Sequence, residues 1–218
     1  MKNSLKIVTI SDTHGLHYDL KIPKGDILIH AGDFSNVGTL LDCQSFIHWF
    51  TKQPHKYKIF IAGNHDFLPQ ENPTLFKELL SYNPSIIYLQ DSFTTIEGIK
   101  IYGTPWSLEF YDWAFMLEEE VIHVKWGKIP IDTDILITHS PPKGYLDEVW
   151  KAGMPWHIGC QSLTEAIERV KPRIHVFGHM HDGYGTLNYK GIKLINASIC
   201  TESYDPINKP IVHKYKIK

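Results

Sequence analysis

The chain has 218 residues, enough to bury a sizeable core without disulfide support. With 22 Lys+Arg against 24 Asp+Glu and no basic run, it lacks the electrostatic footprint of a stable nucleic-acid binder. No apolar run approaches the roughly 20 residues that span a bilayer, and three scattered cysteines without a CxxC argue against a disulfide framework.

These features lead us to expect a single domain over residues 1–218 with reduced thiols, located in the cytoplasm. Met1–Ile10 is too short for the apolar core of a secretory signal. The sequence carries no signal for an oligomeric state.

In chain order, Leu5–Ser11, Asp26–Gly32 and Lys58–Gly63 read as short buried strands, each rich in β-branched residues and stopped by Gly or a polar residue. A helix is predicted over about Thr39–Lys52. A second helix starts at Asn72-Pro73, with Asn as N-cap and Pro in the first turn, and runs to about Tyr82. After Ile86–Leu89 comes a hairpin, Phe93–Ile96 and Lys100–Tyr102, turning at Glu97-Gly98. A helical segment is expected near Phe115–Trp126, then a buried strand at Asp134–Thr138. Ser162 and Glu165 suggest a capping box for a helix ending near Val170. Arg173–Phe177 reads as another strand. Thr186–Tyr189, Lys193–Ala197 and Ile211–Ile217 read as closing antiparallel strands. Alternating elements followed by strand-on-strand suggest stacked sheets with helices outside.

The chain holds 13 histidines, and imidazole is the commonest nitrogen ligand for metals. Several fall, with acidic residues and one Asn, just after predicted strands: Asp12-Thr13-His14, Gly32-Asp33, Gly63-Asn64-His65-Asp66, Thr138-His139 and Gly178-His179-Met180-His181. Ligands gather at the carboxyl ends of strands joined by helical crossovers, so the five clusters can meet in one site. Their oxygen and nitrogen donors suit Mn or Fe, with Zn, Co or Ni also acceptable. Asp12, His14, Asp33, Asn64, His139, His179 and His181 are more ligands than one ion takes, which points to two. Asp33, alone at its strand end, is the natural bridge.

His17, His30, His48, His55, His123, His175 and His213 have no such neighbours and read as structural or solvated. His157 and Tyr184 stay open. Trp106, Phe110, Tyr111, Trp113 and Phe115 read as core rather than as a stacking surface.

The series D-x-H, G-D, G-N-H-D, H and G-H-x-H resembles the calcineurin-like metallophosphoesterase superfamily, over roughly Lys6 to His213. SDTH, GDILIHAGDF, IYGTPW, THSPPKG, GHMHDGYG and NASICT resemble its metallophosphoesterase-domain (MPPED-like) subgroup, whose members are linked to cyclic-nucleotide phosphodiester hydrolysis.

The resemblance implies an α/β class (α+β by some schemes), a four-layer α/β/β/α sandwich of two mixed sheets flanked by helices. It implies that Asp12, His14, Asp33 and His181 hold one divalent ion, and that Asp33, Asn64, His139 and His179 hold the other. Asn64 and His65 would contact the substrate phosphate, and Asp66 is a candidate to orient His65. The expected activity is hydrolysis of a small phosphodiester, cyclic nucleotides among the candidates, by water activated between the metals. A phosphomonoesterase acting on nucleotides or phosphoproteins, and a non-catalytic scaffold on the same fold, are the alternatives.

Overall fold

The computed structural model describes residues 3–217. The first half runs β1 (Ser4–Ile10), β2 (Ile27–Ala31), α1 (Leu40–Thr51), β3 (Tyr57–Ile61), α2 (Leu68–Glu71), α3 (Pro73–Ser81), β4 (Ile86–Tyr88), β5 (Ser92–Ile96) and β6 (Ile99–Thr104). The second half runs β7 (Ser107–Leu108), β8 (Met116–Leu117), α4 (Glu119–Gly127), β9 (Ile135–Thr138), β10 (Glu148–Lys151), β11 (Met154–His157), α5 (Gln161–Val170), β12 (Ile174–Phe177), β13 (Gly185–Tyr189), β14 (Ile192–Asn196) and β15 (Ile211–Lys216).

Two mixed sheets carry the fold. One has the order β15-β1-β2-β3-β4, the other β13-β14-β12-β9-β6-β5. Three apolar layers follow from the strand patterns. Ile7, Ile29, Ile59 and Ile61 of the first sheet pack against Ile101, Ile135, Val176 and Ile195 of the second, forming the core between the sheets. The opposite faces are covered by helices: Phe46 and Phe50 of α1 and Phe76 of α3 meet Val8, Leu28 and Phe60. Ile122 and Trp126 of α4 and Leu163 and Ile167 of α5 meet Leu136, Phe177 and Leu194. Central strands buried on both faces read as continuous apolar runs, as β2 (ILIHA) and β9 (ILIT) do. The result is the expected α/β/β/α layering.

Local differences from expectation have local causes. The helix expected at Phe115–Trp126 is shorter: Met116–Leu117 pairs with Ser107–Leu108 as a strand, and the helix starts at Glu119. α5 has Cys160 as its N-cap with no side-chain cap bond, so the capping box is not formed. Ser162 Oγ instead lies 3.2 Å from Cys160 Sγ. A capping box does close α1, between Thr39 and Asp42. Only part of the tail is antiparallel. β14 pairs antiparallel with β13 but parallel with β12, and β15 crosses to the other sheet to pair antiparallel with β1.

Candidate metal centre

Loops from both sheets converge at one end of the sandwich. Asp12 and His14 follow β1, Asp33 follows β2, Asn64 to Asp66 follow β3, His139 follows β9, and His179 and His181 follow β12. Main-chain hydrogen bonds tie these loops together: Asp12 N donates to Gly32 O at 2.9 Å, His14 N to Asp33 O at 3.1 Å and Gly178 N to His139 O at 3.2 Å. A parallel bridge between Ser11 and Ser198 stitches one sheet to the strand end of the other.

Three groups of potential metal ligands arise among the described residues: Asp12 with His14 and His181, His14 with Asp33 and His65, and Asp33 with His139 and His179. Within each group the ligand atoms lie within 4.8 Å of one another. His14 Nε2 and His181 Nε2 face each other at 3.2 Å, and His139 Nε2 lies 2.9 Å from Asn64 Oδ1 and 3.1 Å from Asp33 Oδ2. Buried nitrogen and oxygen atoms aimed at common points fit divalent cations of the Mn, Fe or Zn kind. Asp33 belongs to two of the three groups, and His14 links them to the third. Asp33 Oδ1 accepts the His65 N–H at 2.8 Å, and its Oδ2 faces His139 at 3.1 Å and His14 at 3.9 Å.

Main-chain carbonyls set the histidine tautomers. His139 Nδ1 donates to Ala31 O at 2.9 Å and His181 Nδ1 to Thr201 O at 2.9 Å, so each presents Nε2 to the site. Asp12 is held by the His179 N–H at 3.0 Å and by Ser198 Oγ at 2.8 Å. The backbone is unusual as well. Asp12, His14, Asp33 and His179 have φ of 51°, 43°, 55° and 69°, in the left-handed region that non-glycine residues rarely adopt. Such strain persists where surrounding contacts over-determine it, as they do here. Two glycines let the backbones approach. A Cβ on Gly178 would overlap Asp12 Oδ2 and Ser11 Oγ, and one on Gly63 would overlap the Asp33 carboxyl. Gly178→Ala is therefore expected to weaken metal uptake at least about tenfold, the scale lost when a ligand's supporting contacts are disturbed. Metal titration of the purified variant checks this.

The ligand side chains form ion pairs among themselves that a metal would displace. Burial alone would depress His139, but Asp33 and Asp12 outweigh it and lift the imidazole to about 9. Burial is likewise outweighed at His181, where Asp12 lifts it to about 9. Burial pushes His14 down to about 4 and His179 down to about 3, so both are neutral. Burial would raise Asp12 and Asp33, but their histidine partners hold both carboxyls well below the usual range. Raised histidines are charged below their folded values, and a metal ligand must be neutral. Metal binding at pH 7 is therefore expected to release about two protons, and affinity should rise with pH until it levels off near 9. Calorimetry in buffers of different ionisation enthalpy measures the proton count.

The catalytic pair expected from the sequence separates. His65 is half-buried, and its Nδ1 donates to Asn36 O at 2.7 Å. Asp66 does not orient it. Its carboxylate accepts from Gly63 N at 2.8 Å, Ser35 N at 3.1 Å and Ser35 Oγ at 2.6 Å, which pins the β2 and β3 loops to each other. Burial and the neighbouring Asp33 charge push Asp66 up to about 8.

Other expectations sort similarly. His157 bonds Asp147 at 2.7 Å rather than entering the site, and the Tyr184 hydroxyl donates to Lys209 O at 2.8 Å. His17 meets Ser45 Oγ and His55 meets Pro23 O, so these histidines are not partnerless. Trp106 and Phe115 pack in the core, but Phe110 and Tyr111 are 60% and 67% exposed. Trp113 lies 4.2 Å from the His65 ring. The cleft at the candidate ligands, about 540 Å³, is lined by Leu108 and Phe110. Val149 and Lys151 of β10 and Ile158, just past β11, also line it. Tyr204, at φ 62°, packs edge-on 4.7 Å from His14 and completes the rim. Tyr204 and the β10–β11 hairpin carry no motif that marks them in the sequence, and Ser198 lies within NASICT with nothing there to mark it as a partner of Asp12.

Residues 5–183 match the family described as calcineurin-like phosphoesterase. This chain belongs to that family. Its relatives include the human metallophosphoesterase domain-containing protein 1, 41% identical over 229 residues that cover 95% of this chain and 70% of that protein. A UPF0046 protein of Caenorhabditis elegans is 37% identical over 220 residues, covering 95% of this chain and 74% of its own length. A solved structure of TT1561 from Thermus thermophilus superposes with a TM-score of 0.61 at 13% identity, over 88% of each chain, which supports the fold alone. Family membership and the convergent ligand groups make this a metal-dependent phosphoesterase domain. No helix among the described residues is long and apolar enough to cross a membrane.

Proposed function

We propose that this domain hydrolyses phosphodiesters, with cyclic and other small nucleotide diesters as the substrate class, using two divalent ions of which Mn and Fe are the first choice. The observation that carries this reading is that Asp33 belongs to two ligand groups, one with His14 and His65 and one with His139 and His179. Asp12, His14, Asp33 and His181 would hold one ion, and Asp33, Asn64, His139 and His179 the other. Bound ions of this kind supply Lewis acidity and lower the pKa of water, from 15.7 to about 7 in the best-known case.

The protein's own groups do the rest. Asn64 and His65 line the cleft floor beside Asp33, where a phosphoryl group would rest. The Asn36 carbonyl can only accept, so one His65 proton sits on Nδ1, and the ring donates to a phosphoryl or leaving-group oxygen only when a second proton is on Nε2. Apolar walls at Leu108, Phe110, Val149 and Ile158 leave room for an organic ester group and shed water around it. Three buried free cysteines fit a reducing compartment, which favours the cytoplasm.

The test is a substrate panel after chelation and reloading with Mn²⁺, Fe²⁺, Zn²⁺ or Ni²⁺. Cyclic AMP, 2′,3′-cyclic nucleotides and bis(p-nitrophenyl) phosphate are compared with p-nitrophenyl phosphate. Higher kcat/KM on the diesters is expected. A preference for the monoester would overturn the diesterase assignment, and inactivity under every metal would favour a scaffold.

A further inference from the structure

Two histidines stand behind the ligand loops in matching positions. His30 lies on β2 and His175 on β12, and both side chains are fully buried. His30 pairs with Ile10 across the ladder, at the end of β1, and His175 pairs with Leu136 on β9. Each Nε2 meets a threonine hydroxyl, His30 with Thr13 at 2.9 Å and His175 with Thr138 at 2.8 Å. Thr13 stands between Asp12 and His14. Thr138 immediately precedes His139. The two candidate metal sites are thus each backed, one residue away, by a hydroxyl bonded to a buried imidazole on the neighbouring strand.

Proton accounting fixes one of these contacts. Thr138 Oγ1 lies 2.6 Å from Ser140 O, and a carbonyl oxygen only accepts, so the single hydroxyl proton goes there. Thr138 must then accept from His175, whose proton is on Nε2. The chain runs His175 Nε2–H to Thr138 Oγ1–H to Ser140 O. It clamps the turn Thr138-His139-Ser140 on both sides of a ligand. The remaining His175 Nδ1 has no hydrogen-bond partner and is a bare acceptor, the kind of buried orphan that proteins tolerate better than an unpaired N–H. The rings are wedged by aromatic neighbours, His30 against Phe46 at 5.0 Å and His175 against Phe177 at 4.9 Å, so neither has room to turn away.

We infer that His30 and His175 are positioning residues, one for each metal site: His30 holds the Asp12–His14 loop and His175 holds the His139 turn. The inference rests on the dinuclear assignment proposed above. Partners one shell out from a ligand typically contribute 10- to 100-fold in metal affinity, about the scale expected here. A residue that merely filled the core would not distinguish the two ions.

Calorimetric titration of chelator-stripped protein with Mn²⁺ tests this without any assay of turnover. The unsubstituted protein should take up two equivalents. His175→Phe keeps a ring but removes the donor, and should weaken one equivalent about 10- to 100-fold while leaving the other unchanged. His30→Phe should weaken the other, and the combined variant both. His175→Gln retains an N–H donor and should recover most of the loss. Thr138→Val and Thr13→Val remove the same bonds with little change of shape, and report in place of any histidine variant that does not fold. Single variants that weaken both equivalents equally, or neither, overturn the positioning role alone. An unsubstituted protein that binds fewer than two equivalents overturns the dinuclear reading and this assignment with it.

Discussion

Asp33→Ala is expected to lose bound metal and turnover together. The carboxylate has divided duties: Oδ1 takes the His65 main-chain N–H, while Oδ2 faces His139 and His14. No other carboxylate can replace it, because Asp12 is committed to the His179 N–H and Ser198, and Asp66 to Ser35 and Gly63. Removal also strips His139 of the largest charge that lifts it to about 9, leaving a fully buried imidazole supported chiefly by Asp12. Elemental analysis should then find at most one ion, and activity should fall by about 10²–10³, the scale seen when a transition-state-stabilising group is removed. Asp33→Asn keeps the shape and one acceptor oxygen, so it separates the loss of charge from the loss of volume. A variant with two ions and full turnover would remove Asp33 from the centre of this account.

Much of the architecture is legible because it rests on short-range chemistry. β1, β2, β3, β9 and β12 are mostly apolar, and in each the candidate ligands fall just after the strand, so both the strand and its candidate ligands announce themselves. Asn72 caps α3 as its identity suggests, its side chain accepting from Leu75 N. What stays hidden depends on partners distant in the chain. Met116–Leu117 has a helical neighbourhood, yet Ser107–Leu108 recruits it into a strand. Phe110 and Tyr111 read as core by composition, but both stand exposed.

The hardest features to foresee at the site are main-chain ones. Carbonyls of Ala31, Asn36 and Thr201 set the tautomers of His139, His65 and His181, and a carbonyl leaves no side-chain signal. The left-handed turns at Asp12, His14, Asp33 and His179 are equally silent, since glycine is the residue that usually marks such a backbone. Asp66 misleads because adjacency in G-N-H-D suggests a partnership with His65. In the loop the two side chains diverge: Asp66 points back into the protein, while His65 faces the cleft.

That divergence governs the second large effect, at His65. Asp33 is held by the main-chain N–H of this residue, a contact that His65→Ala preserves, so the metal content should stay at two. What disappears is the imidazole, which Asn36 anchors through Nδ1 and which packs against Trp113 at 4.2 Å and edge-on to His14 at 4.7 Å. Turnover should fall by about 10²–10⁴, the usual contribution of a positioned proton donor or acceptor. The choice of substrate separates the two jobs this ring can do. If the doubly protonated ring, with Nδ1–H kept on Asn36, passes its Nε2 proton to the leaving group, the loss is large for a diester with an alkoxide leaving group and small for a p-nitrophenyl ester, whose phenolate leaves without help. If the ring instead stabilises the phosphoryl oxygens, both substrates suffer equally. Full turnover on an alkoxide-leaving diester with two ions bound would assign His65 neither role, leaving the chemistry to the ions and Asn64.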